Sequence, residues 1–377
     1  MSGYSRLDNS FFGQWWHTID RATLICTFIL IGFGCILVMA ASPAVALRIG
    51  ASRNIFIFKQ VFFLTIATCI VISTSTLSRK AVLQLSLWGG LVMLCATAIT
   101  LFHGLEIKGA RRWIALPVMS IQPSEFLKPC FAVVTSWLLT QRYILRYFPG
   151  MLIAFILYGT IAFLLQAQPD IGMLTVITSV FLTQLFINGL SLTLFGVGCG
   201  VMICMGVSAF FIFPHVHSRV ERFLHPHLGD HYQIDVALRA FGNGGLFGRG
   251  PGEGQIKNLL PDAHADFIFA VAGEEYGLIG CMIILIIFLT IIRCTLYRII
   301  RNDDPFTIIA TTGLITGFGL QACINMASSL HLIPTKGMTL PFISYGGSSA
   351  ISVALTIGMI LALTRQRIST YQNNYLP

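Results

Sequence analysis

The sequence predicts an all-α integral membrane protein, a bundle of ten transmembrane helices with one large extracytoplasmic loop. Three observations carry that expectation: a mean hydropathy of +0.79, a charged fraction of only 10% over 377 residues, and ten apolar windows of spanning length divided by polar, Gly or Pro punctuation. A soluble domain carries roughly a quarter of its residues as Asp, Glu, Lys and Arg, so soluble enzymes and disordered chains are excluded. The excess of 24 Lys and Arg over 15 Asp and Glu gives +9. That is the balance which cytoplasmic loops and the headgroups of a lipid bilayer select, and nothing forms the basic stripe that nucleic acid needs.

The first span, Ala22 to Leu47, follows Arg6 and Arg21 and ends near Ala44, Val45 and Ala46, which mimics a signal-peptide cleavage site. It is too long for a cleaved apolar core and is read as a retained helix. Ile55 to Leu77 and Ala81 to Phe102 are the second and third. A polar segment from His103 to Ser124, with Lys108, Arg111, Arg112, Pro117 and Pro123, then interrupts. The fourth span runs from Ser124, a plausible N-cap, to about Leu139. Met151 to Ile187 is long enough for two spans, divided at Gln168, Pro169, Asp170 and Gly172, a turn that one continuous helix would not tolerate. Leu190 to Phe213 is the seventh. After the hydrophilic insertion come Asp266 to Ile291, Phe306 to Leu330 and Tyr345 to Leu363. Residues 1–377 thus read as one membrane domain, with 214–264 as a loop within it. The ten cysteines all fall in apolar stretches without CxxC spacing and read as buried small hydrophobes.

An even number of spans puts both termini on one side. If that side is cytoplasmic, it holds Arg6, Arg21, Arg79, Lys80, Arg142, Arg146, Arg293, Arg298, Arg301, Arg365 and Arg367, eleven in all. The short outer loops hold six: Arg48, Arg53, Lys108, Arg111, Arg112 and Lys336. The positive-inside rule therefore predicts cytoplasmic termini and places the large loop outside.

Ionisable groups within spans are costly and face a cavity or a partner, so they are where chemistry is sought. The set is Lys59, Glu125, Lys128, Asp170, Asp266, Glu274 and Glu275. Each has a competing explanation as a structural ion pair or an interfacial side chain. Glu125 and Lys128 share a helical face three residues apart. Asp266 opens the eighth span and would serve equally as a helix N-cap. Glu274 lies about 12 Å deeper and roughly 80° around that helix, whereas Glu275 is nearly opposite, so Glu274 is the one expected to share a cavity with Asp266.

The loop's charges balance: Arg219, Arg222, Arg239, Arg249 and Lys257 stand against Glu221, Asp230, Asp235, Glu253 and Asp262. Six histidines, His215, His217, His225, His227, His231 and His264, gather there. Their two HxH pairs lack carboxylates or cysteines at ligand spacing, so a zinc site is not expected. The run GNGGLFGRGPGEG lacks the Gly-Lys-Ser/Thr of a phosphate loop, and its glycines instead suit tight turns in a segment packed closely on the bundle.

Four blocks carry a resemblance. QPSEFLKP (Gln122 to Pro129), QPDIG (Gln168 to Gly172), AFGNGGLFGRG followed by LPDAHADFIFAVAGEEYGLIG (Ala240 to Gly280), and PTKGMTLPFISYGGSS (Pro334 to Ser349) occur in the order seen in the SEDS proteins of bacterial cell-wall synthesis. The chain resembles that family over nearly its whole length. WWHTIDR, AASPAVA and the AHADF form of the loop resemble its division-type members, of alphaproteobacterial kind, more than its elongation type. The resemblance implies the SEDS fold in a bacterial inner membrane, at the division site. It also implies a peptidoglycan glycosyltransferase that polymerises lipid II beside a class B penicillin-binding protein and other divisome membrane proteins.

By motif, Asp266 corresponds to the family's essential acidic residue, Glu125 and Lys128 to its polar pair and Asp170 to its turn. His264, Glu274 and Ser344 join the substrate-binding set. Ala265 departs from the family's usual Thr and puts in doubt a role for that side chain, leaving the carboxylate intact. Glycan extension needs a general base near the acceptor 4-hydroxyl and positive charge for the departing pyrophosphate. On this reading Asp266 is the base. Lys128, with Arg219 or Arg222 or a divalent cation such as Mg, receives the pyrophosphate, and Glu125 orients Lys128. A lipid II flippase, a non-catalytic scaffold for the transpeptidase and an elongation-type polymerase are the competing readings.

Overall fold

Apolar runs too long for strands settle into helices because a helix satisfies its own backbone groups where no water is available. The computed structural model describes residues 11–50, 52–107, 110–115, 120–141, 147–212, 217–218, 221, 232–334 and 337–365. Its helices are α1 (Phe11–Thr18), α2 (Arg21–Arg48), α3 (Ile55–Ser75), α4 (Arg79–His103), α5 (Pro123–Thr140), α6 (Gly150–Ala167), α7 (Ile171–Ile187), α8 (Leu192–Ile212), α9 (Tyr232–Gly244), α10 (Ile268–Ile300), α11 (Pro305–Ser329) and α12 (Gly347–Leu363). Among the described residues, six helices are long and apolar enough to cross a membrane: α2, α3, α4, α6, α10 and α11. Apolar helices α7 and α12, of 17 residues each, are shorter.

The expected spans each coincide with a helix, and the boundaries have local causes. Asp20 caps α2 by accepting from the amides of Ala22 and Thr23, and Ser78 caps α4 through Ala81 N. The break between α6 and α7 falls at Gln168 and Pro169, with Asp170 capping α7 through Met173 N. One expected cap is corrected, and one competing cap reading is not met. Gln122 is the N-cap of α5 and Pro123 its first residue, so Ser124 lies inside the first turn. Asp266 does not cap α10, whose N-cap is Phe267.

The segment expected as a plain loop after α4 forms a three-stranded antiparallel sheet, β1 (Leu105–Ile107), β2 (Ala110–Ala115) and β3 (Ser120–Ile121), in the order β1-β2-β3. Leu105 faces Trp113 across the first pair and Ile114 faces Ile121 across the second. Strands of three and two residues flanking a six-residue one that carries two arginines leave too little apolar alternation to be read from sequence. Their pairing comes from the helix ends that bring them together. The cysteines also differ from expectation: Cys130 and Cys281 are buried, whereas Cys69, Cys95, Cys204 and Cys323 face outward from the bundle.

Polar side chains tie the spans together. Gln184 of α7, fully buried, donates to Ala132 O at 2.6 Å and Ser136 Oγ at 2.8 Å on α5, and accepts from Thr135 Oγ1 at 2.6 Å. Where no water competes, such bonds hold helix to helix.

The glycine-rich loop after α9 is spliced into α10. Gly277, at φ 65°, interrupts the helix. A continuous helix would bond Leu278 N to Glu274 O and Ile279 N to Glu275 O. Instead Leu278 N donates to Gly245 O and Ile279 N to Leu246 O, while Glu274 O and Glu275 O accept from Arg249 N and Gly250 N. Each group freed by the break therefore finds a partner in the loop. The approach demands glycine: a Cβ on Gly244 would stand 1.9 Å from Gly273 O, and one on Gly248, at φ +83°, 2.1 Å from Glu275 O.

Candidate functional site

A cavity of about 510 Å³ opens at the end of the bundle away from the termini. Its polar walls come from Lys59 of α3, Arg112 of β2, Glu125 of α5, Asp170 ahead of α7 and Asp266 ahead of α10, closed by the 337–349 segment with Tyr345 and Ser348.

On one wall Asp170 accepts from Gln122 Nε2 at 3.2 Å and stands 3.5 Å from Arg112 NH1. Arg112 also grips the α6–α7 turn, donating from Nε to Gln168 O at 2.9 Å and from NH2 to Pro169 O. Helix capping by Asp170 and the reach of Arg112 from the sheet thus fix this wall together.

Glu125 and Lys128 do pair, at 2.7 Å, and both are buried. Lys128 also donates to Gln321 Oε1 at 2.6 Å, and Gln321 Nε2 donates to Thr339 O at 3.0 Å. Glu125 lines the cavity, but Lys128 does not: it faces a separate small void between α5, α11 and α12. The pair therefore forms a wall and its backing, with the carboxylate toward the cavity.

Asp266, half-buried, lines the cavity beside the 337–349 segment, its Oδ2 3.5 Å from where a Cβ of Gly337 would be. Its backbone is held from several sides. Asn325 Nδ2 donates to Asp266 O at 3.1 Å, Ser344 Oγ to Ala265 O at 2.7 Å, and Tyr345 N to His264 O at 2.8 Å. Ser344 and His264 are buried behind the cavity, so both act on the chain that carries Asp266. Arg219 and Arg222 lie outside the described residues.

Glu274 is corrected. It does not share the cavity with Asp266 but points, fully buried, into the glycine-rich loop. There it accepts from Asn243 Nδ2 at 2.9 Å, Gln255 N at 2.9 Å, Ile256 N at 2.8 Å and Lys257 N at 2.7 Å. Glu275 beside it pairs with Lys257 Nζ. The loop wraps this turn of α10 and meets both carboxylates, so the ideal-helix angle does not decide between them.

The cations that line the cavity, Lys59 and Arg112, were not among the expected site residues. Lys59 carried a signal as a charge within an apolar span. Arg112 was indistinguishable from the neighbouring loop charges. Lys59 makes no ion pair among the described residues. No group of three or more His, Cys, Asp or Glu side chains that could hold a metal ion occurs among the described residues.

His264 is stacked between Phe56 and Tyr345, with ring centroids at 4.6 and 5.0 Å, and its Nδ1 meets no hydrogen-bond partner among the described residues. Burial lowers its pKa below the usual value of 6.5, outweighing the opposing pull of Asp262. Below about pH 6.5 the unfolded chain then takes up a proton that the native state resists, so native stability is lost as pH falls from that point. Melting temperatures of the detergent-solubilised protein should fall between pH 7 and pH 5. In His264→Phe, which keeps the aromatic stack, the slope should be shallower, and an identical slope would remove His264 as the cause.

Fold and cavity define a class: a multi-pass helical membrane protein with an ionisable cavity at the end of the bundle away from its termini. Within that class the chain belongs to the cell cycle protein family of FtsW, RodA and SpoVE, whose model matches residues 21–369. It is 41% identical over 370 residues to a protein of Caulobacter vibrioides named "Probable peptidoglycan glycosyltransferase FtsW", covering 98% of this chain and 95% of that one. It is 32% identical over 342 residues to the protein of that name from Taylorella equigenitalis, covering 86% and 93%. Two solved structures share the fold. One is a chain of a peptidoglycan synthase complex that coordinates polymerization and crosslinking, with a TM-score of 0.76, 23% identity and coverage of 93% of this chain and 99% of that one. The other is the rod shape determining protein RodA of Thermus thermophilus, with a TM-score of 0.69, 23% identity and coverage of 93% and 97%.

Proposed function

We propose that this chain is a peptidoglycan glycosyltransferase that polymerises lipid II at the division septum of a bacterial inner membrane. The observation that carries the chemistry is the cavity whose lining the Asp266 carboxylate shares with Lys59 and Arg112. Glycan extension forms a bond from the acceptor 4-oxygen to the donor anomeric carbon and breaks the bond from that carbon to pyrophosphate. Asp266 takes the proton of the 4-hydroxyl. Lys59 and Arg112 receive the charge growing on the pyrophosphate as it leaves. Direct displacement inverts the anomeric centre, so no protein nucleophile is needed. Glu125, held by Lys128, orients the polar groups of the incoming sugar, and Asp170 keeps Arg112 aimed. A divalent ion such as Mg binds through one or two carboxylates and substrate phosphates, and this cavity offers that kind of donor set.

In this reading all ten expected spans cross the bilayer, both termini are cytoplasmic and residues 214–264 form an extracytoplasmic loop. A class B penicillin-binding protein cross-links the product, and other divisome membrane proteins assemble around the pair. The identity to FtsW relatives favours division over a RodA-like role in elongation. A lipid II flippase is the competing account.

The test is glycan-chain formation from labelled lipid II by the purified protein with its cognate transpeptidase. Polymer is expected, and Lys59→Gln should lower kcat/KM by about tenfold or more through loss of a charge-assisted contact. A silent wild type that moves lipid II across vesicle membranes would make the flippase the better account. Full activity in Lys59→Gln would remove that lysine from the mechanism.

A further inference from the structure

A second cavity, of about 830 Å³, lies at the termini end of the bundle, where α2 and α11 begin and α10 and α12 end. Four arginines (Arg79, Arg298, Arg301 and Arg365) and three aspartates (Asp20, Asp303 and Asp304) line it. Most of these charges are already committed. Asp20 caps α2 and stands 3.4 Å from Arg298 Nε. Asp304 caps α11 and pairs with Arg79 at 2.8 Å. Arg298 is spent on carbonyls, donating from NH1 to Thr18 and Thr364 and from NH2 to Ile19, and so ties α1, α10 and the end of α12 together.

Three charges remain, the carboxylate of Asp303 and the guanidinium groups of Arg301 and Arg365, so the uncommitted balance is positive. Arg365 gives one bond, from NH1 to Thr76 O at 3.3 Å. Arg301 lies over the Tyr297 ring at 4.1 Å and makes no ion pair among the described residues. Stacking holds a guanidinium plane while leaving its edge free, and that edge matches a phosphate bidentately. The surroundings are those of a lipid. Ala362, Leu363 and Tyr297 share the cavity wall, and Ile25 and Ile29 of α2 and Ile300 of α10 are exposed apolar side chains near the same ends of those helices. A basic pocket between helix ends beside exposed apolar side chains is suited to an anionic lipid headgroup with its acyl chains alongside.

We propose that this cavity binds the phosphate headgroup of an anionic phospholipid from the adjacent leaflet, with Arg301 and Arg365 as its ligands. The site lies at the far end of the bundle from Asp266, so it adds to the catalytic reading without depending on it.

The experiment uses the full chain in detergent, titrated with phosphatidylglycerol, phosphatidylcholine or inorganic phosphate, and follows retained lipid by native mass spectrometry and the melting temperature. Wild type should retain phosphatidylglycerol in preference to phosphatidylcholine. At roughly a fivefold effect for each arginine, Arg301→Gln with Arg365→Gln should weaken retention by about twenty-fivefold. Arg293→Gln, an exposed charge of α10 outside the cavity, should leave retention unchanged. If the double variant melts too early to measure, Arg301→Gln alone serves, because that guanidinium makes no hydrogen bond to a described residue, and a fall of about fivefold is then expected. Equal retention of the two lipids, or undiminished retention in the variants, overturns the proposal. Stabilisation by inorganic phosphate as large as that by phosphatidylglycerol overturns the lipid assignment and leaves a free-anion site.

Discussion

Asp266→Asn should abolish glycan polymerisation while leaving the protein folded. Asparagine keeps the size of the side chain and much of its hydrogen bonding but no longer accepts the proton of the 4-hydroxyl, and loss of a general base costs about 10²- to 10⁴-fold in rate. The fold should tolerate the change because Asp266 is not the cap of α10, a place taken by Phe267. Its backbone carbonyl keeps the bond from Asn325. Polymer formation from labelled lipid II, measured beside a melting curve, separates the outcomes. Normal polymerisation by the variant would remove Asp266 as the base. Loss of polymer together with a collapse of the melting temperature would make it a structural residue.

The second large effect is expected at Glu274, and it is structural. Glu274→Ala leaves the amides of Gln255, Ile256 and Lys257 and the Asn243 amide group without their acceptor in a dry interior. Breaking such a buried charged cluster costs about 3 to 5 kcal/mol. In a chain of this size that lowers the melting temperature by roughly 5 °C or more. Glu274→Gln, which keeps one acceptor oxygen, should fall between the two. A variant that melts like wild type but no longer binds lipid II would restore Glu274 to the substrate cavity and contradict its observed place in the loop. The loop spliced at Gly277 is also the path by which damage at Glu274 reaches the site. The loop's far end, Leu260 to Ala265, leads directly into Asp266, so loosening the splice is expected to lower activity along with stability.

Much of this protein was legible in its sequence, and the legible parts share a cause. Each span depends on hydropathy summed over about 20 consecutive residues, so α2, α3 and α4 fall within a few residues of their expected limits. The α6–α7 break depends on one Pro and its neighbours, and the Glu125–Lys128 pair on a spacing of three along one helix. The glycine run forecast a close approach because only glycine admits one. All of these are local, and local physics does not need the rest of the molecule.

What only the tertiary structure decided is which polar groups meet. Lys59, Arg112 and Asp266 come from three distant segments, and their convergence depends on how α3 is rotated and on how the sheet and the turn before α10 pack beside it. A helix that is apolar on every face, as α3 and α10 largely are, carries no stripe in its sequence to report that rotation. For the same reason Lys128 could not be seen to stand behind Glu125, nor both Glu274 and Glu275 to turn toward the loop. The three strands were hidden because strand propensity is weak and set by context, and a charged, Pro-containing segment carries little apolar alternation to reveal them. Sequence determined the spans, their breaks and the chemical inventory through interactions within a few turns of chain; packing between helices determined which of those groups share a cavity.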